Sequence, residues 1–386
     1  MTKYLFGDLV KEVKNKVDRD NNPYDYFIAG DHMDTDELHL LRRGVFAGND
    51  VGPAFIRVFK PGQVLYGSRR TYLRKVAVAD FEGVTANTTF VLESKDEKIL
   101  LQRLLPFIMQ ADRFVQHSIK RSKGSTNPYV LFSDLADYEV ELPDIDKQCE
   151  LADLLWAMDD VRMSYQKLIS ATDALVKSQF IEMFGTISAP IYPVKKLSDY
   201  AHIKHGYAFK GDDFSDDDNG ILLVTPGNFS IGGGFQYKKC KYFTGEYTQE
   251  YVLHTGDLIV TMTDLSKASD TLGNAAIVPN DGYVYLHNQR IGLFDLLDDG
   301  IDKTYLEFYM RTDDYRNHIL SGAAGSTVKH TSPAKILEAK FIFPPIEKQK
   351  EFSEIKEQSD KSKFELEQAL SELNATYKRI IAENLG

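Results

Sequence analysis

Hydrophobic positions along the chain follow two rhythms, one helical and one extended. Two stretches, Cys149 to Phe184 and Lys350 to Leu385, each run for 36 residues without glycine or proline. Both predict long helices, the first capped by Gly185 and the second ended by Gly386, since glycine readily takes the conformation that closes a helix. Alternating steps of three and four pick out Leu151, Leu154, Met158, Val161, Tyr165, Leu168, Thr172, Leu175 and Gln179 in the first. In the second they pick out Phe352, Ile355, Ser359, Ser362, Leu366, Ala369, Leu373, Thr376 and Ile380. These stripes, with few polar interruptions, are the pattern of helices packed side by side in a coiled coil. Two helices each packed on its own domain are the alternative. Each spans about 54 Å at 1.5 Å per residue.

Between the helices the rhythm shortens. Val64 to Tyr66, Val76 to Val78, Thr89 to Val91, Ile221 to Val224, Leu258 to Val260 and Ile291 to Phe294 are short apolar runs bounded by turn residues, which predict strands. Further helices are predicted near Leu100 to Ile119 and Lys303 to Leu320. The fold class is mixed α/β (α+β): domains over residues 1–146 and 186–346, separated by long antiparallel helices over 147–185 and 347–386.

An internal repeat organises this pattern. Gly124-Ser125-Thr126 recurs as Gly325-Ser326-Thr327, and Pro143-Asp144-Ile145-Asp146-Lys147-Gln148 as Pro344-Pro345-Ile346-Glu347-Lys348-Gln349, both 201 positions later. Phe107 meets Phe308, Met109 meets Met310, Phe114 meets Tyr315 and Gly185 meets Gly386 at the same offset. Upstream the offset drifts, to 199 for Glu82-Gly83 against Asp281-Gly282 and to 194 for Gly62 against Gly256. The drift implies a shared scaffold whose loops vary in length, and the whole reads as an internal pseudo-twofold repeat.

Charge then narrows the function. The net charge of -11 argues at first against a nucleic-acid partner, but its distribution matters more. From Arg42 to Lys75 the basic residues Arg42, Arg43, Arg57, Lys60, Arg69, Arg70, Arg74 and Lys75 face a single acid, Asp50. A merely solvated face normally mixes signs. Arginine and lysine neutralise phosphates, and arginine also addresses guanine O6 and N7. In the second domain the candidates are Lys204, His205, Lys210, Lys238, Lys239, Lys241, Asn288, Gln289 and Arg290, the amides suiting adenine N6 and N7. Lys123 and Asn127 at the first Gly-Ser-Thr loop, and Lys329 and His330 at the second, are candidate backbone contacts. Ordinary surface or turn residues are the other reading of each.

Several chemistries are poorly supported. Asn22-Pro23-Tyr24 and Asn127-Pro128-Tyr129 each lack one proline of the [DNS]-P-P-[YFW] loop of amino methyltransferases. Gly232-Gly233-Gly234 opens no predicted helix, and Ser321 to Thr327 lacks the lysine of a phosphate loop. Cys149 and Cys240, the only cysteines, have no partner at metal-ligand spacing, so neither zinc modules nor disulfide frameworks are supported. No secretory leader or membrane span is read, and a reducing, cytoplasmic setting is expected.

These residues together resemble the specificity subunit, HsdS, of Type I restriction-modification systems. The carriers are the paired Gly-Ser-Thr loops, Ser133-Asp134-Leu135, the Leu142-Pro143-x-Ile145-x-x-Gln148 and Phe343-Pro344-Pro345-Ile346-x-x-Gln349 strings, and Ser178 to Gly185 closing the first long helix. The resemblance implies a non-catalytic, DNA-binding subunit with two target-recognition domains, each reading half of a split double-stranded site, the helices setting the gap. It implies two methylating subunits that carry S-adenosylmethionine, and restriction subunits that use ATP and Mg, with no cofactor or metal in this chain. The helices also dock the methylating subunits in the family, which gives Trp156 a role there or, equally, in the core. A specificity subunit of a Type IIB system and a coiled-coil adaptor that never touches DNA remain the competing readings.

Overall fold

The computed structural model describes residues 2–49, 51–264, 266, 268–323, 325 and 328–385. Asp50, Ser326, Thr327 and Gly386, all used above, lie outside them. The chain forms two compact units, Met1–Leu168 with Glu365–Gly386, and Ile169–Phe364. Their boundaries fall inside the long helices.

In the first unit the strands Val10–Glu12, Thr89–Ser94, Val64–Gly67 and Val76–Val78 form an antiparallel sheet in that order. Its apolar runs are continuous because both faces are covered. Val64, Tyr66, Val76, Phe90 and Leu92 enter one core, whereas Leu65, Ala77 and Val91 enter another with Ile28, Met33 and Phe59. A second sheet orders Gly44–Val45, Tyr26–Ile28, Gly83–Ala86 and Phe55–Phe59, with one parallel pairing, Phe27 opposite Val84. Thr2–Leu5 pairs with Glu139–Leu142.

The second unit repeats this topology. Ala201–His205, Ile291–Leu296, Leu258–Thr261 and Ala275–Ile277 form the corresponding antiparallel sheet, and Ile221–Val224 runs parallel to Val284–His287. Val194–Lys196 pairs with Lys340–Ile342. The repeat therefore extends well beyond its sequence signal, since pairing depends on strand direction and burial rather than residue identity.

The helices, in order, are α1 (Phe6–Leu9), α2 (Leu105–Gln110), α3 (Asp112–Arg121), α4 (Phe132–Ala136), α5 (Ile145–Phe184), α6 (Lys303–Tyr309), α7 (Asp313–Ser321), α8 (Pro333–Leu337) and α9 (Ile346–Leu385). Each single helix expected after the strands is broken in two. Ala111, at ψ 136°, interrupts the first. Side-chain caps on Asp302 and Thr312 start α6 and α7 separately.

The long helices begin at Ile145 and Ile346, earlier than the sequence reading placed them. Asp144 caps the first by accepting the Lys147 N–H at 2.9 Å. The glutamine of each Pro-x-Ile-x-x-Gln string explains the motif. Gln148 accepts the Leu101 N–H at 3.1 Å and donates to the carbonyls of Ile99 and Pro143. Gln349 does the same with Asp302, Gly300 and Pro344. Both side chains are buried and bolt the first turn of a long helix to its own unit. Gly185 ends α5 at φ 80°, where an added Cβ would lie 2.2 Å from the Ala189 carbonyl oxygen.

Packing within each unit corrects the expected stripe on α5. Leu151 is buried, and Met158 and Tyr165 are half-buried, but Leu154, Val161, Leu168 and Leu175 are 47%, 44%, 51% and 60% exposed. The inward series in the first unit is Gln148, Ala152, Leu155, Asp159 and Arg162, one position later. It contains an ion pair, Asp159 with Arg162 at 2.9 Å, that a search for apolar positions rejects. On α9, Phe352 is fully buried, and Ile355, Leu366, Leu373 and Ile380 are half-buried. In the second unit Phe180 meets Phe352 and Asp173 meets Lys363, so α5 and α9 run antiparallel there. Trp156 belongs to the first unit's core, its ring 5.1 Å from Phe107 and its Nε1–H donating to the Arg103 carbonyl. Among the described residues, no helix is long and apolar enough to cross a membrane.

Candidate nucleic-acid interface

Each unit brings two loops together at one edge. In the first, Ser68 to Lys75 connects the strands Val64–Gly67 and Val76–Val78, and it lies against the segment Lys123 to Val130 that carries the Gly-Ser-Thr motif. The Val130 N–H donates to the Ser68 carbonyl at 2.9 Å and the Arg70 N–H to the Pro128 carbonyl at 2.6 Å. Lys123 and Tyr129 exchange backbone hydrogen bonds at 2.8 and 2.9 Å.

The second unit makes the same junction. The Thr331 N–H donates to the Met262 carbonyl at 3.0 Å, and Thr263 pairs with His330 and Asp264 with Lys329. Ser68 and Met262 stand 194 positions apart, Val130 and Thr331 stand 201 apart, so both halves of the junction obey the repeat. Between the flanking strands lie eight residues in the first unit and thirteen in the second. That difference is the drift of the offset from 194 to 199, confined to this loop. In the second loop the Asp264 carboxylate accepts N–H bonds from Ser266, Thr271 and Leu272. Burial opposes its ionisation, yet those donors hold its pKa below the usual carboxylate range.

The basic island of the first unit divides into two groups. Arg42, Arg43, Lys60, Arg69 and Arg70 are exposed. Arg42 pairs with Asp34, and Arg43 lies 3.9 Å over the Tyr26 ring. Arg57 is a correction: it is 8% exposed and paired with Glu12 at 2.7 Å, so its charge serves the fold. Arg74 is committed too, to Asp36 at 2.5 Å, Asp112 at 2.7 Å and the Gln110 carbonyl at 2.7 Å. Lys75 donates to the Gly30 carbonyl. Lys123 pairs with Asp134 at 2.8 Å, and Asn127 is exposed.

In the second unit Lys204 pairs with Asp295 and Lys241 with Asp216, whereas His205, Lys210, Lys238, Lys239, Gln289 and Arg290 are exposed. Asn288 is the second correction. It is 6% exposed, and its Oδ1 accepts the Arg290 N–H within the turn, so it presents no amide to a base. Lys329 is half-buried, and exposed His330 approaches the Thr263 hydroxyl at 3.2 Å. The sequence reading missed Tyr72 and Tyr129, 52% and 39% exposed at the first junction. The drifting offset was the signal that located this loop.

One acid and histidine cluster serves the packing of the first unit. Glu37, His39 and Asp159 converge closely enough to suggest a cation site. A cation already occupies it: Arg162 reaches Asp159 at 2.9 Å and Glu37 at 3.4 Å. His39 donates its share through a 2.8 Å contact to Asp159, which raises its pKa against the opposing effect of burial.

A family model described as "Type I restriction modification DNA specificity domain" matches residues 54–171 and 192–374, one stretch for each copy of the repeat. The chain is 21% identical over 292 residues to the Type I restriction enzyme MjaVIII specificity subunit of Methanocaldococcus jannaschii, covering 71% of this chain and 66% of that protein. It is 26% identical over 176 residues to the EcoBI specificity subunit of Escherichia coli, covering 45% of this chain and 34% of that one. The match thus spans between about a third and two thirds of these relatives. The crystal structure of a Type I restriction-modification S subunit from M. genitalium superposes with a TM-score of 0.60 at 12% identity, covering 100% of this chain and 96% of that one. At that identity the likeness is one of fold.

Proposed function

The chain belongs to the family of Type I restriction modification DNA specificity domains, and from that membership we propose that it reads a bipartite site in double-stranded DNA for a multi-subunit methyltransferase. The observation that carries this reading is the junction built twice: two loops joined by the same hydrogen bond, one loop eight residues long and the other thirteen. A constant frame with a variable loop is what two readers of different half-sites require.

In this reading the chain is non-catalytic and works in the cytoplasm. Phosphate contacts from the exposed basic residues position each unit, and a few side chains at base edges select sequence. The adenine to be methylated would be turned out of the duplex by a partner that carries S-adenosylmethionine. Restriction subunits would bring ATP and Mg.

The exposed row on α5 supports such partners. Leu154, Val161 and Leu168 recur every seven residues on the first unit's part of the helix, outside its core. Leu175 and Ile181 are exposed on the second unit's part. A heptad row of this kind is a seam for another helix, here of the methylating subunits.

Expressing the chain with its methylating partners and sequencing the methylated adenines tests the reading. One motif made of two half-sites around an unread spacer is expected; a contiguous motif or no methylation would overturn it. Val161→Glu with Leu168→Glu is expected to leave the chain folded and abolish co-purification of the partners. Normal co-purification would remove the seam.

A further inference from the structure

The first unit's loop Ser68 to Arg74 is held far more tightly than a phosphate-binding segment needs. Arg70 and Arg74 both sit in the left-handed region, at φ 49° and 50°, a conformation disfavoured for residues with a Cβ. The surroundings enforce it. Ser68 bonds to Thr88 through both its N–H and its hydroxyl, and buried Thr71 approaches the Ser122 hydroxyl at 3.2 Å. The three bonds of the Arg74 guanidinium close the other end.

Three side chains project from this rigid turn. Arg69, Arg70 and Tyr72 are exposed, and among the described residues neither arginine has an acidic partner. The Arg69 guanidinium lies 5.9 Å from the Tyr129 ring, and the Tyr129 main chain is held by its two backbone bonds to Lys123. A planar cation lying against an aromatic ring has fewer orientations open to it.

We propose that Arg69 and Tyr72 are the specificity-determining pair for one half of the DNA site, Arg69 donating two hydrogen bonds to O6 and N7 of a guanine and the Tyr72 ring packing on the neighbouring base. The inference rests on the DNA-reading function above. Phosphate contact tolerates a mobile side chain, but a bidentate bond to a base edge requires fixed geometry, which this loop supplies. The loop also differs by five residues between the two copies of the repeat, which lets the two half-sites be read differently.

The test uses the complete methyltransferase, with methylated sites mapped by sequencing and binding measured on duplexes altered in one half-site at a time. Arg69→Ala and Arg69→Lys are both expected to relax a single guanine position in one half-site, with discrimination falling roughly tenfold to a hundredfold. Tyr72→Ala is expected to relax the adjacent position, and Tyr72→Phe to retain it. The other half-site stays unchanged and serves as the internal control. A uniform loss of affinity for all sequences, rescued by Arg69→Lys, would make Arg69 a phosphate contact and overturn the proposal, as would an unaltered motif. Failure of the unsubstituted complex to select any two-part motif would instead overturn the underlying function.

Discussion

Individual charges in this protein do different work depending on depth. Arg57 and Glu12 form a pair with side chains 9% and 7% exposed, and without Arg57 the buried Glu12 keeps only a weaker, solvent-screened contact with exposed Lys14 at 3.2 Å. Arg57→Ala is expected to destabilise the chain by about 1–3 kcal/mol in chemical denaturation. Exposed Lys60→Ala is expected to leave stability unchanged. Two histidines make the opposite point about pH. His39, bonded to Asp159, titrates above its ordinary value of about 6.5. Its contribution to stability is complete below that value and is lost as pH rises through the raised one. His287 is lowered, first by burial, with its ring nitrogen bonded to the Ile291 carbonyl. Its contribution holds above about 6.5 and is lost as pH falls toward the lowered value. Following both imidazoles by NMR checks this: His39 titrating below free histidine, or His287 above it, would contradict the assigned causes.

At the scale of elements, the buried glutamines at the head of α5 and α9 fix how each helix leaves its unit. Alanine at Gln148 leaves the Leu101 N–H and the Ile99 and Pro143 carbonyls without that partner, and Gln349→Ala does the equivalent at Asp302, Gly300 and Pro344. Each substitution is expected to cost about 1–3 kcal/mol per buried group left unpaired. Glutamate at either position is expected to be worse, because it replaces two donated bonds with a buried negative charge. Unchanged melting of both alanine variants would remove the bolt. The repeated Pro-x-Ile-x-x-Gln string marked these positions, but not the reason for them. Apolar periodicity favours Met158 and Val161 over Asp159 and Arg162, and so sets the phase of α5 one position early. Glu37 and His39, more than a hundred residues earlier, make those charges tolerable inside.

For the whole molecule the net charge of -11 sets the expectation that isolated chain binds DNA weakly and the assembled complex binds it well. Measured against salt, the complex should lose about two units of log-log slope when Lys60 and Arg70 are both replaced by glutamine, at about 0.9 per phosphate contact. An unchanged slope would take both residues off the DNA. Sequence alone determined the duplicated plan, the long helices and most central strands, because repeats and periodicity are properties of the chain order, and its motifs carried the resemblance to the family. It also located the basic island. Only tertiary structure separated Arg57 and Arg74, spent on acids within their own unit, from Arg69 and Arg70, which project from the surface. It alone turned Asn288 inward and Leu154, Val161 and Leu168 outward. Residue type specifies what a side chain can bond to; which partner it meets depends on segments distant in the chain, and that is settled when the sheets and helices pack.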